Sequence, residues 1–238
     1  MEQVQQLSLR LQTIAREVPE GARLADIGTD HAQLPVALVA DGHICAAVAS
    51  DAKAGPFQTA LRNVATAGLT ADISVRHGEG LHILETADDV DVIVIAGMGG
   101  SLITEILSAG NDMPDTVQRL ILQPNVAADI VRKWLYHGGW SLKSEHIVQE
   151  EEQFYEVLTA DKGSPGSVYE NKDWDDAIMF GPHLLESKPG AFHRKWEQEL
   201  AHMERVLQQM NAAHERAEIA LERERIHERI NKIKEVLT

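Results

Sequence analysis

Residues 23–35, RLADIGTDHAQLP, gather two carboxylates, a hydroxyl and an imidazole around one glycine: Asp26, Gly28, Thr29, Asp30 and His31. Two further acidic groups close apolar runs downstream, Asp51 with Ala52 after AAVAS, and Glu79 between Gly78 and Gly80 in HGEGL. Such a set selects its guest by charge. A dinucleotide pyrophosphate needs G-x-G-x-x-G, so that backbone N–H groups reach the phosphates at a helix N-terminus. Here a single glycine stands among several carboxylates, which excludes a doubly anionic guest.

A guest with an ammonium, a sulfonium and no phosphate fits these residues, and S-adenosylmethionine is the expected cofactor. Asp26 and Asp30 would receive its amino-acid end, beside Thr29, while Gly28 allows close backbone approach. Asp51 follows the turn by about 20 residues, the distance at which an acidic side chain takes ribose hydroxyls. Glu79 and the backbone of Gly78 and Gly80 would hold the adenine, and Ala96, Gly97, Met98 and Gly99 would close the site from the fourth strand. Competing structural roles remain: Asp30 as N-cap of a helix beginning near Ala32, and His31 bonding a neighbouring carbonyl. A metal is not expected, because Asp26, Asp30 and His31 lack a good fourth ligand.

The elements that must position these groups follow from periodicity. Short β-branched runs at Arg23–Gly28, Ala46–Asp51, Ile73–Gly78, Val90–Gly97 and Arg119–Asn125 alternate with helical patterns near 32–40, 53–68, 80–86, 99–109 and 127–137, which predicts a mostly parallel α/β sheet. Two last strands, WSLKSEHIVQE and QFYEVLTA, are separated by a link short enough for an antiparallel hairpin. This order predicts the class I methyltransferase Rossmann-like sheet, followed by a small α-helical coiled-coil domain. The expected boundaries are 1–161 for the cofactor-binding domain, 162–191 for linker and turns, and 192–238 for a helical hairpin. Trp196, Leu200, Met203, Leu207 and Met210 mark one helical seam, and Leu221, Ile226, Ile230, Ile233 and Leu237 a second, with a turn near Asn211–His214. A dimeric parallel coiled coil is the alternative, and a monomer is expected over a homodimer.

The 238 residues, 44% hydrophobic, suffice for one full core and an appendage. Cys45 is the only cysteine, so no internal disulfide forms, and a reducing cytoplasm is expected. Neither a signal peptide nor a membrane span is expected. The net charge of −15 argues against phosphate binding, yet 223–234, RERIHERINKIK, allows a local basic strip in the tail.

Taken in order, LSLRLQTIA, ADIGTDHAQLP, GPFQTALRNVATAGL, IAGMGGSLI, LILQPN, WLYHGGW and FYEV resemble the bacterial tRNA adenine N1-methyltransferase family. That family methylates the adenine at tRNA position 22. The resemblance covers about residues 7–160, and the helical tail matches the family's C-terminal domain in kind. It implies tRNA as partner and methyl transfer to N1 as activity. It also explains GMGG in place of the Asn-Pro-Pro-aromatic signature of amino-group methyltransferases: ring N1 already offers an in-plane lone pair, so positioning supplies most of the acceleration and no strong base is needed. Asp30, His31 and Asn125 are then the catalytic candidates facing the base, with Gln123, Gly100, Tyr155 and Arg10 on the substrate side. Gln33 stands where the family usually has Tyr, which puts a stacking role at that position in doubt. On the residues alone, Pro124 sets a turn and Asn125 caps the next helix. Methylation of another RNA site or a small molecule, or a catalytically silent RNA-binding module, are the alternatives.

Overall fold

The computed structural model describes residues 7–109, 113–211 and 217–238. Helix α1 (Leu9–Glu17) precedes strand β1 (Arg23–Ile27) and α2 (Gln33–Ala40). β2 (Ala46–Asp51), α3 (Ala54–Thr66) and β3 (Ile73–His77) follow. Then come β4 (Val92–Gly99), α4 (Gly100–Ser108), β5 (Arg119–Val126), α5 (Ala128–His137), β6 (Trp140–Glu150) and β7 (Gln153–Lys162). The helix expected over 80–86 is instead two 3-10 turns, Gly80–Ile83 and Thr86–Asp88. Seven strands form one sheet in the order β3-β2-β1-β4-β5-β7-β6. β1 to β5 run parallel, and β7 is antiparallel to both β5 and β6, so the expected hairpin is present.

Burial explains why these runs become strands. In a parallel sheet covered on both faces every side chain is inside, so β4 reads Val-Ile-Val-Ile rather than alternating with polar residues. The two-residue period then sorts them: Ala25, Ile27, Ile93, Ile95, Leu120 and Leu122 pack with Ile103, Leu107, Val131 and Leu135 of α4 and α5. Leu24, Val92, Val94 and Ile121 face the other way, onto Ile14 of α1, Leu34 and Leu38 of α2, and Ala60 and Val64 of α3. The result is a three-layer sandwich whose strand order reverses between β1 and β4. Truncating a fully buried Ile93 or Ile95 to Ala would cost about 2–5 kcal/mol.

The chain divides into two compact units, Met1–Asn171 and Lys172–Thr238. Within the second unit, the stretch expected to be linker holds two short helices, α6 (Trp174–Phe180) and α7 (Pro182–Ser187), before α8 (Gly190–Asn211) and α9 (Ala217–Leu237). Asp173 caps α6 through the Asp176 N–H, Gly181 breaks the chain at φ 91°, and Pro182 restarts it. Elements this short carry too few turns for a periodic signal, so composition alone read as loop. Phe180, Phe192 and Trp196 form their core, with Phe180 and Trp196 edge to face at 4.6 Å. α8 and α9 pack on each other, and Lys234 pairs with Glu204 across them at 2.8 Å. Ile230 and Ile233 are buried as the seam requires, whereas Leu221 is 54% exposed. The expected turn near 211–214 lies largely outside the described residues.

Candidate functional site

A cavity of about 1040 Å³ opens at the carboxyl ends of β1, β2 and β4, where the strand order reverses. Open α/β sheets bind ligands at such a point because neighbouring loops diverge there. The loop leaving β1 is the most contorted segment of the wall. Gly28, Asp30 and Ala32 all have positive φ, at 72°, 45° and 57°. A non-glycine residue in that region costs about 1–2 kcal/mol, so Asp30 and Ala32 carry backbone strain beside the cavity. A Cβ at Gly28 would lie 2.1 Å from Met98 Cε, so the methionine tip would have to move, and the φ of 72° itself favours glycine.

This geometry corrects the capping expectation. The residue before α2 is Ala32, with no side-chain cap, and Asp30 is turned outward with its side chain 76% exposed. His31 Nε2 lies 3.4 Å from Asp30 Oδ1, while the His31 carbonyl accepts from Asn63 Nδ2 at 2.9 Å. The imidazole therefore faces a carboxylate rather than the neighbouring carbonyl expected of a structural histidine.

Asp26 has the opposite environment. It is 5% exposed and accepts a 2.5 Å hydrogen bond from Thr29 Oγ1. Burial pushes its carboxyl up to about 6, against the Thr29 hydroxyl and the Arg10 guanidinium, which favour the anion; Asp30 and Asp51 add to the upward push. The site thus holds a desolvated carboxylate whose hydrogen-bond donor is a neutral hydroxyl. Asp51, at the end of β2, accepts the Lys53 N–H at 2.7 Å and keeps its second oxygen for other donors.

The opposite wall is built on Gln123, which is completely buried. Its Oε1 accepts from Arg10 Nη1 at 2.7 Å and from the Gly97 N–H at 3.0 Å, and its Nε2 donates to Asn125 Oδ1 at 3.1 Å. Asn125 Nδ2 donates to the Gly97 carbonyl at 2.8 Å. Asn125 therefore bridges the ends of β4 and β5 and does not cap α5, whose preceding residue is Ala127 at φ 59°. The Arg10 guanidinium sits 5.3 Å from the centre of the Tyr155 ring, and the Arg10 N–H donates to Glu150 Oε1 at 2.7 Å.

Most of the residues expected from the sequence meet at this cavity. Asp26, Gly28, Thr29, Asp30, His31 and Gln33 line it from the first loop. Asp51, Ala52, Gly78, Glu79 and Gly80 line it from the second and third strand ends. Ala96, Gly97, Met98, Asn125, Tyr155 and Arg10 complete the wall. Gly99, Gly100 and Gln123 do not reach it. Gly100 is buried against the α5 entry, where a Cβ would lie 2.1 Å from the Ala127 carbonyl oxygen, so its glycine serves close packing rather than the substrate. Sequence reasoning missed Leu102, Glu105 and Ile106 on α4, and Phe154 beside Tyr155. The signal existed for α4, whose residues recur at helical spacing just after the strand end.

A doubly wound sheet in this strand order, with acidic strand ends around a cavity at its switch point, defines a class I, Rossmann-like methyltransferase. Residues 24–235 match the family model TrmK, tRNA (adenine(22)-N(1))-methyltransferase. The Bacillus subtilis tRNA (adenine(22)-N(1))-methyltransferase is 40% identical over 97% of each chain. The crystal structure of the B. subtilis m1A22 tRNA methyltransferase TrmK superposes with a TM-score of 0.91 at 39% identity, covering 98% of this chain and 99% of that one. A Streptococcus pneumoniae structure, a putative tRNA (m1A22) methyltransferase in complex with S-adenosyl-L-methionine, gives 0.86 at 39% identity over 98% and 100%. The chain belongs to the TrmK family.

The residues at the cavity fit S-adenosylmethionine on their own chemistry. A buried carboxylate without a cationic hydrogen-bond donor suits a cationic amino-acid end, a half-free Asp51 carboxylate suits a diol, and the Gly28 turn leaves backbone room. Among the described residues no helix is long and apolar enough to cross a membrane.

Proposed function

We propose that this protein transfers a methyl group from S-adenosylmethionine to N1 of adenine 22 in tRNA, acting in the cytoplasm. The observation that carries the reading is the cavity itself: carboxylates at three strand ends on one side, and an amide and aromatic wall from Asn125 and Tyr155 on the other, in a chain matched to this family over nearly its whole length. The bound cofactor supplies an electrophilic methyl on a sulfonium.

The chain's own groups then have three tasks. Asp26, Thr29 and the Gly28 turn hold the amino-acid end, Asp51 takes the ribose hydroxyls, and the Glu79 loop holds the adenine. Arg10, Gln33 and Tyr155 contact the substrate, Tyr155 offering a ring face to a base extruded from the tRNA, as access to a pairing edge requires. Gln33 offers only an amide edge, so stacking falls to the aromatic residues of the opposite wall, Tyr155 with Phe154 beside it. Asp30 at the mouth stabilises the positive charge that develops on the methylated ring, with His31 beside it. No base is required, because N1 carries its own lone pair. The second unit, with Arg223, Arg225 and Arg229 on α9, is proposed to meet tRNA phosphates. The packing of α8 on α9 within one chain, with Ile230 and Ile233 buried, supports a monomer.

The test incubates the protein with S-adenosylmethionine and two unmodified tRNA transcripts that differ only by adenine or guanine at position 22, then maps reverse-transcription stops. A stop at adenine 22 that vanishes with guanine is expected. A stop elsewhere, or none while the cofactor binds, would reject the assignment.

A further inference from the structure

The amides of Gln123 and Asn125 have their directions dictated by their neighbours. The Gly97 N–H and Arg10 Nη1 can only donate, so the Gln123 atom they share must be the oxygen. Gln123 Nε2 then faces Asn125 and must donate, which makes Oδ1 the near atom of that side chain. Asn125 Nδ2 is thereby turned to the Gly97 carbonyl, which can only accept. The bonds close a loop through Gly97, Gln123 and Asn125. Flipping either amide would set donor against donor and acceptor against acceptor. Amide orientation is usually a matter of assignment, but here the fixed backbone donor and acceptor of one residue decide it. Gln123 is out of contact with solvent, and Asn125, two positions on, is exposed and lines the cavity.

After these bonds are counted, Asn125 retains one oxygen lone pair and one amide hydrogen. The oxygen lone pair left on Asn125 can accept from adenine, whose 6-amino group donates and is the group that side-chain amide oxygens read. Guanine has a carbonyl oxygen in place of the amino group and offers no matching donor. A base held by the amino hydrogen on its N7 side keeps N1 open to the cofactor.

We propose that Asn125 selects adenine through its 6-amino group, and that the buried Gln123 is the positioning residue that locks the Asn125 amide in the adenine-reading direction. Arg10 joins the lock from α1, so the helix that contributes to the substrate wall also braces the reader. This rests on the tRNA methyl transfer proposed above and adds to it the origin of base choice.

The experiment compares tRNA carrying adenine with tRNA carrying purine, which lacks only the 6-amino group, at position 22. Wild type, Asn125→Ala, Gln123→Glu and Gln123→Met are measured for kcat/KM, for cofactor affinity and for thermal midpoint. Loss of the 6-amino group weakens N1 as a nucleophile in every variant; beyond that shared loss it should cost the wild type about tenfold or more and Asn125→Ala almost nothing, because the hydrogen-bond partner has already gone. Gln123→Glu still accepts from Gly97 and Arg10 but sets an acceptor against Asn125 Oδ1. It should lose the preference for adenine over purine beyond that shared loss while its cofactor affinity stays within about twofold of wild type. Gln123→Met, which keeps the volume and removes both polar atoms, should behave alike and guards against an effect peculiar to the added charge. An equal penalty for the missing amino group in wild type and Asn125→Ala would overturn the proposal, as would a Gln123→Glu protein that discriminates like wild type. Proton NMR of the free protein separates this from the proposed reaction. The Asn125 side-chain amide protons should exchange slowly in wild type and fast in Gln123→Glu, and equal exchange would overturn the lock even if adenine 22 proved not to be the target.

Discussion

Two buried acidic clusters in the same sheet differ in how their charge is met. Between α5, β6 and β7, Arg132 is fully buried against Glu145, at 2.6 Å from Nε, and against Glu156 through Nη2. Burial disfavours the guanidinium, but the two carboxylates outweigh it and hold its pKa above the usual range. At the cavity, Asp26 is buried to a similar degree and receives a hydroxyl instead of a cation, so burial pushes its carboxyl up rather than down. The first cluster is complete within the protein. The second has no cationic hydrogen-bond donor of its own, and the proposed function gives it a cationic guest. A partnered buried charge fastens elements together, and an incompletely partnered one is held ready for a ligand, at a cost to the empty fold.

Arg132→Met would strand two carboxylates in the core and should cost about 3–5 kcal/mol, read as a large fall in the urea midpoint at neutral pH. A loss below about 1 kcal/mol would mean that the cluster is more hydrated than its burial implies. Next in size, Asp51→Ala should weaken S-adenosylmethionine binding about tenfold, through the loss of hydrogen bonds to a diol, with little change in unfolding. Calorimetric titration checks this, and unchanged affinity would move the ribose away from β2.

The smallest effect tests a third, half-exposed ion pair. Glu17 on α1 bonds His146 Nε2 at 2.7 Å and Ser144 Oγ at 2.6 Å. The bond to His146 holds the Glu17 carboxyl down at about 2, and Glu17 in turn raises His146. His146 has its folded pKa raised above the unfolded value near 6.5, so its contribution is present in full below that value and fades as pH rises through the folded pKa. Glu17 contributes above about 4.5, and that part is lost as pH falls towards 2. His146→Gln should therefore lower stability by less than about 1 kcal/mol at pH 6, after solvent screening of a 44% exposed side chain, and by less still at pH 9. Equal losses at both pH values would show that packing, not charge, ties α1 to β6.

Much of the sheet was legible because parallel strands buried on two faces leave continuous apolar runs, and the site was legible because acidic residues recur at the ends of three of them. What escaped was set by tertiary contacts. Arg132, Glu145 and Glu156 lie on three elements, and nothing local to any of them announces the cluster. Gln123 read as a substrate contact because strand ends usually open into the site, but the chain continues through Pro124 and puts Asn125 at the mouth instead. Asp30 and Asn125 carry side chains suited to capping, and local pattern suggested caps; the left-handed conformations of Ala32 and Ala127 took those places and freed both side chains for the cavity. Gly100 read as a substrate-side residue because it follows the β4 strand end, and its glycine serves the close approach of the Ala127 carbonyl.

If Asp26 is held for a cationic cofactor, its protonation must govern both binding and the stability of the empty protein. Its folded pKa, about 6, lies above its unfolded value of 3.8, so the folded state binds the extra proton between them. The empty protein therefore loses stability as pH rises across that window, reaching about 2–3 kcal/mol above it. The measurement is the affinity of S-adenosylmethionine and the thermal midpoint from pH 5 to 8, for wild type and Asp26→Asn. Wild type should bind more tightly as pH rises through 6, and Asp26→Asn should bind weakly at every pH while unfolding at a higher temperature than wild type at pH 8. Wild-type binding that does not change with pH, or an Asp26→Asn protein of undiminished affinity, would contradict that role for Asp26.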